Sequence, residues 1–66
     1  MVEIKFAENL KALRRTFGLT QGALAKLLEV DQRTVSAWEN KVCEPSFIML
    51  SKLCEIFNED LNGLLT

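Results

Sequence analysis

The 66-residue sequence contains no histidine and only two cysteines, Cys43 and Cys54. Zinc needs a set of ligands drawn from cysteine, histidine and carboxylate, and two separated thiols without a histidine supply neither that set nor a redox spacing. They read as structural thiols in a reducing cytoplasm. A long apolar run is also missing. The longest stretch free of charge, Thr16 to Ala25, contains Gly18, Thr20, Gln21 and Gly22. It falls far short of the roughly 20 apolar residues of a membrane span. The Met-Val-Glu-Ile-Lys start does not have the form of a signal peptide. No glycine-rich phosphate loop is present, and no nucleophile stands with a base beside it, so no catalytic residues, no enzyme and no cofactor are expected. Linkers, repeats and low-complexity segments are lacking too. Helices use up the chain, which leaves no evident small-molecule effector site.

What is present suffices for one domain over residues 1–66, near the small end of what folds without disulfides or metals. Hydrophobic residues make up 48% of the chain, so a core is available. Net charge is −1, which by itself argues against a phosphate-rich partner, yet the charges are unevenly placed. Residues 11–41 hold Lys11, Arg14, Arg15, Lys26, Arg33 and Lys41 against three acids; residues 42–66 hold Lys52 against Glu44, Glu55, Glu59 and Asp60. A basic middle followed by an acidic end suits a nucleic-acid face on the middle. An ordinary mixed surface explains the same distribution.

The stretch from Thr20 to Asn40 reads as two short helices joined by a tight turn. Leu24, Ala25 and Leu28 recur at helical spacing within Gln21 to Leu28, and Val35 and Trp38 share one face of Gln32 to Asn40. Thr20 and Asp31 stand where helix starts need an acceptor for free amides. Glu29-Val30-Asp31 between them is a three-residue connection, the spacing of a helix-turn-helix.

Leu19-Thr20-Gln21, Leu24-Ala25, Leu28, Val30, Thr34-Val35-Ser36, Trp38-Glu39-Asn40 and Pro45, in that order and spacing, resemble the phage repressor and Cro-like (XRE) helix-turn-helix family. The resemblance runs from about Phe6 to Leu65. It implies an all-α, compact five-helix, lambda-repressor-like domain that binds operator DNA, usually as a dimer. Two positions depart from the family pattern: Glu29 stands where a turn glycine is favoured, and Lys41 replaces the glycine that often follows Glu-Asn. Glu29 is therefore expected at a positive φ.

The remaining elements follow from periodicity. Residues 3–16 are expected to form the first helix, with Phe6, Leu10 and Leu13 as its buried stripe and Gly18 as its end. Arg14 falls beside that stripe and, if buried, requires a partner. The resemblance supplies Glu39; a solvated charge or a phosphate contact is the alternative. Lys11 and Arg15 face solvent or DNA. Ser46 caps a fourth helix with Phe47, Leu50, Leu53, Cys54 and Phe57 as its apolar stripe. Asn58 fits the left-handed position that ends it. Asp60 caps a short last helix.

With Val35 and Trp38 inward, Arg33, Ser36, Ala37 and Asn40 lie on the opposite face of the third helix, with Gln32 at its exposed start. By the resemblance this face enters a major groove, where glutamine pairs with adenine and arginine with guanine. The expected base contacts are Gln32, Arg33, Ser36 and Ala37. Thr20, Gln21, Asn40, Lys41, Ser46 and Phe47 are expected near phosphates, since free amides at helix starts seat an anion without net charge. Capping by Thr20 alone is compatible with this. The loop after the third helix holds one lysine, and Glu44 would repel a phosphate. The leading reading is a sequence-specific, cytoplasmic DNA-binding regulator acting on a palindromic operator of double-stranded DNA. The alternative is a protein-interaction module, an antitoxin or bridging factor, on the same fold. A homodimer is expected through Leu61, Leu64 and Leu65, which offer more apolar surface than one short helix need bury. Internal packing of all three is the alternative.

Overall fold

The computed structural model describes residues 4–66, and among these every regular element is helical. Five helices follow in order: α1 Phe6–Thr16, α2 Gln21–Leu28, α3 Gln32–Glu39, α4 Phe47–Phe57 and α5 Leu61–Leu65. α1 lies against α3 and α5, α2 against α3 and α4, and α4 against α5. One core results, built from Phe6, Leu10, Leu24, Ala25, Leu28, Val35, Trp38, Leu53, Phe57 and Leu64. Each helix presents a stripe of apolar residues too narrow to be buried alone, and only the shared centre removes them all from water.

Local chemistry sets the boundaries. Thr20, Asp31, Ser46 and Asp60 precede α2 to α5, and each side chain accepts a hydrogen bond from an amide of the following turn. Four helix ends close in one way. Gly18, Glu29, Lys41 and Asn58 take positive φ of 70°, 59°, 62° and 50°. The next amide in each case, from Leu19, Val30, Val42 and Glu59, then donates to the carbonyl five residues back. This left-handed closure satisfies carbonyls that the helix itself leaves free. Glu29 thus has the positive φ expected of it, and Lys41, the other position lacking its customary glycine, has one as well.

Three expectations are corrected. The first helix begins at Phe6, not at residue 3; Glu3 lies outside the described residues, and Lys5 holds the cap position with non-helical backbone, its amide donating to the Leu65 carbonyl at 2.7 Å. That bond ties the chain ahead of α1 to α5. Leu13 is half-buried at the core margin, while Ala7 is buried with Phe6 and Leu10. Phe47 is 70% exposed and does not join the stripe of α4. α4 packs on α2 and α5 through Leu53 and Phe57, and its first turn extends past that contact, leaving Phe47 and Ile48 uncovered.

Candidate nucleic-acid interface

α2 and α3 are joined by Glu29, Val30 and Asp31, and the two helices pack closely on each other. Leu24, Ala25 and Leu28 of one and Val35 and Trp38 of the other face inward, so the outer face of α3 is fixed by what is buried beneath it. Gln32, Arg33 and Asn40 are exposed on that face, and Ser36 and Ala37 are half-buried along it. The Asp31 carboxylate accepts from the Arg33 amide at 2.8 Å and holds the helix start. Its nearer oxygen stands 4.0 Å from the Arg33 guanidinium, whose side chain is 96% exposed. So loose a pair leaves the arginine free to reach outward. Asn40 donates its side-chain amide to the Ser36 hydroxyl at 3.2 Å.

Behind this face lies a polar cluster that joins three segments. The Arg14 guanidinium meets the Glu39 carboxylate in two bonds, Nε to Oε2 at 2.7 Å and Nη2 to Oε1 at 3.1 Å. The Arg14 side chain is 12% exposed and that of Glu39 1%. Nη1 of Arg14 donates to the Leu19 carbonyl at 2.9 Å, and the Gln21 side-chain amide donates to Glu39 Oε1 at 3.1 Å. α1, the start of α2 and the end of α3 are thereby held together. Burial pushes the Glu39 carboxyl up, but hydrogen bonds from Arg14 and Gln21, with the charges of Arg14 and Lys11, outweigh it and hold the group below its ordinary value. Its hydrogen bond to Glu39 raises Arg14. Two-pronged pairing with further donors is the geometry in which a buried ion pair is tolerated.

The expected phosphate positions divide. Thr20 accepts from the Ala23 amide at 3.0 Å and stands at the start of α2. Gln21 is half-buried; one hydrogen of its side-chain amide goes to Glu39, and the second hydrogen and the backbone amide at the helix start have no partner in that cluster. Lys41 is exposed, with its ammonium 3.1 Å from the Glu8 carboxylate of α1. Ser46 caps α4 by accepting from Met49 at 3.2 Å, and Phe47 occupies the first helical position, where an amide has no partner within its own helix. The surface expected for dimerisation is also split. Leu64 is fully buried in the protomer's own core, which removes it from any interface; Leu61 is 37% exposed and Leu65 half-buried.

Sequence reasoning missed the Glu8–Lys41 and Gln21–Glu39 pairs. Their members are separated by 33 and 18 residues, and nothing local marks them. It also missed the edge-to-face contact of Phe17 on Phe57, with ring centroids 5.1 Å apart.

Two short helices on a tight turn, buttressed from behind and exposing a polar face, define a helix-turn-helix domain. The chain belongs to the phage repressor and Cro-like (XRE) helix-turn-helix family, whose family model, described as helix-turn-helix, matches residues 10–64. This is the fold and family of DNA-binding transcriptional regulators of the phage repressor type. Solved structures agree. A transcriptional regulator from Listeria innocua is 31% identical with a TM-score of 0.91, over 97% of this chain and 60% of that one. The P22 c2 repressor, solved in complex with a synthetic operator, is 28% identical with a TM-score of 0.85, over 92% of both chains. Hydroxypropylphosphonic acid epoxidase from S. wedmorenis is 32% identical with a TM-score of 0.82, over 92% of this chain but only 32% of the enzyme. This chain thus spans about three fifths of the Listeria regulator and a third of the epoxidase. No curated protein matches.

Proposed function

We propose that the chain is a sequence-specific DNA-binding transcriptional regulator that lays α3 in the major groove of double-stranded DNA. The observation that carries this reading is the division of α3: Val35 and Trp38 are buried, and Gln32 and Arg33 are exposed side by side on the helix start. Gln32, Arg33, Ser36 and Ala37 face base edges. Thr20, the backbone amides of Gln21 and Phe47, and Asn40, Lys41 and Ser46 lie toward phosphates, which position the helix without reading sequence. No described helix is long and apolar enough to cross a membrane, and the proposed site of action is the cytoplasm. The proposed assembly is a homodimer on a palindromic operator, with Leu61 and the exposed part of Leu65 at the contact. Enzymatic chemistry is not part of the proposal; the likeness to the epoxidase extends over a third of that enzyme.

The protein-interaction reading draws support from Val42, Phe47 and Ile48, apolar and exposed around the start of α4. Selection from a random pool of DNA duplexes, followed by a salt titration on the selected duplex, separates the two. Regulation through DNA predicts a selected sequence and a log K that falls linearly with log salt, by about 0.9 per phosphate contacted. Absence of any enriched sequence, with affinity indifferent to salt, would favour the protein partner.

A further inference from the structure

We propose that Gly22 is a positioning residue for base readout, its missing side chain leaving the space in which the Gln32 carboxamide rests against the first turn of α2. The inference rests on the reading of α3 as the recognition helix. Gln32 is the first residue of α3, so no preceding helical turn supports its side chain. Support comes from α2 instead. A Cβ at position 22 would stand 3.2 Å from Gln32 Oε1, 3.8 Å from its Cδ and 3.9 Å from the Thr20 hydroxyl oxygen. Gly22 and Gln32 also line one open cleft, together with Thr20, Ala23, Lys26 and Val30.

The backbone does not call for glycine here. Among the described glycines only Gly18 has a positive φ, and Gly22 sits within α2, where glycine is disfavoured relative to alanine. Space is the remaining reason. A contact at 3.2 Å is tighter than an ordinary carbon–oxygen approach, and the group that must yield is the end of a flexible, exposed side chain. The fold therefore tolerates a methyl at position 22, while the Gln32 carboxamide must give way from its place by a few tenths of an ångström.

That place matters because two-pronged recognition of adenine needs the carboxamide oxygen and nitrogen to meet N6 and N7 together. A carboxamide backed on one side by α2 has fewer orientations to lose when it docks. Because Thr20, on the phosphate side, lies at the same cleft, the backing also places the base-reading group relative to the backbone contact.

The test compares the parent chain, Gly22→Ala, Gln32→Ala and the double variant by selection from a random DNA duplex pool. In the parent, one base pair per half-site depends on Gln32 and is lost in Gln32→Ala. Gly22→Ala is expected to weaken the preference at that pair by about threefold or more, with the other positions and the salt slope unchanged. In the Gln32→Ala background the same substitution is expected to change nothing, which a general structural role would not produce. In the free protein, Gly22→Ala is expected to move the Gln32 side-chain amide resonance without lowering the melting temperature. Unaltered preference in Gly22→Ala, uniform weakening of all sequences, or an equal effect in the Gln32→Ala background would overturn the inference while leaving the recognition helix in place. A parent with no base preference anywhere would remove the recognition reading and this inference with it. The amide resonance would then show separately whether the contact exists.

Discussion

Glu39 has the most consequential environment of any single residue in the chain. Its carboxylate is removed from water at the end of α3 and is held by Arg14 and Gln21. Removing Arg14 would leave that charge buried and unpaired, so Arg14→Met is expected to cost about 3 to 5 kcal/mol in chemical denaturation. The lowered Glu39 value also fixes the sign of a pH effect. A carboxylate whose folded value lies below its unfolded one of about 4.3 contributes stability that is complete above that pH and is lost as pH falls through the folded value. Denaturation of the parent and of Glu39→Gln across the acid limb should therefore show a smaller decline in the variant, from a lower starting stability. At the same scale, Arg33 and Lys41 are expected to differ in kind. Arg33→Ala should lose about 1 to 3 kcal/mol at one base pair and relax preference there, whereas Lys41→Ala should weaken all sequences alike and flatten the salt slope. Competition binding on single-base operator variants distinguishes the two outcomes. Equal weakening of every sequence by Arg33→Ala would assign that residue to the phosphates instead.

At the scale of the helices, the recurrent left-handed closure is what allows five short elements to turn sharply enough to share one core. Three of its four positions carry side chains, and of these Asn58 is a residue type that tolerates the left-handed region, whereas Glu29 and Lys41 are not. A residue with a Cβ is disfavoured there by about 1 to 2 kcal/mol, an advantage of glycine that its greater freedom in the unfolded chain partly cancels. Glu29→Gly is expected to stabilise the domain by roughly 0.5 to 1 kcal/mol, read as a higher melting temperature. An unchanged or lower value would mean that Glu29 gains something in the turn that offsets its strain. The caps of α2 to α5 and the left-handed Asn58 were legible in the sequence because each concerns a residue and its neighbours within a few positions, whereas the positive φ of Glu29 was expected from the family resemblance and that of Lys41 was not expected. The start of α1 was not legible, since no side chain caps it and the Lys5 amide is instead met by the Leu65 carbonyl from the other end of the chain.

For the whole molecule, the proposal to be tested is the homodimer. Two recognition helices related by a two-fold axis read half-sites about 34 to 36 Å apart, which a single α3 cannot do. With Leu64 in the core, the contact proposed at α5 reduces to Leu61 and part of Leu65, whose carbonyl also anchors Lys5. Leu61→Asp is the informative variant. It alters an exposed residue in the first turn of α5, where an acid suits the helix dipole, and should leave the fold intact. Sedimentation at micromolar concentration should then show loss of dimer, and operator binding should lose cooperativity. A folded Leu61→Asp chain that dimerises as before would place the interface elsewhere. Leu65→Asp is the poorer probe because Leu65 packs on the core and its replacement would unsettle the protomer itself.

The sequence by itself determined the number of helices, their caps and turns, and most of the core. These follow from apolar periodicity and from hydrogen bonds between near neighbours, which the chain specifies wherever it folds. The pairing of Arg14 with Glu39 was legible only through family resemblance. Tertiary structure alone decided which members of each stripe reach the centre: Leu64 is covered by neighbouring helices, and Phe47 extends beyond them. It also decided that Gln21 turns to Glu39, that Lys41 meets Glu8, and that Gln32 rests over Gly22. Each of these depends on which helix lies across which, a matter of distance in space between residues far apart in the chain.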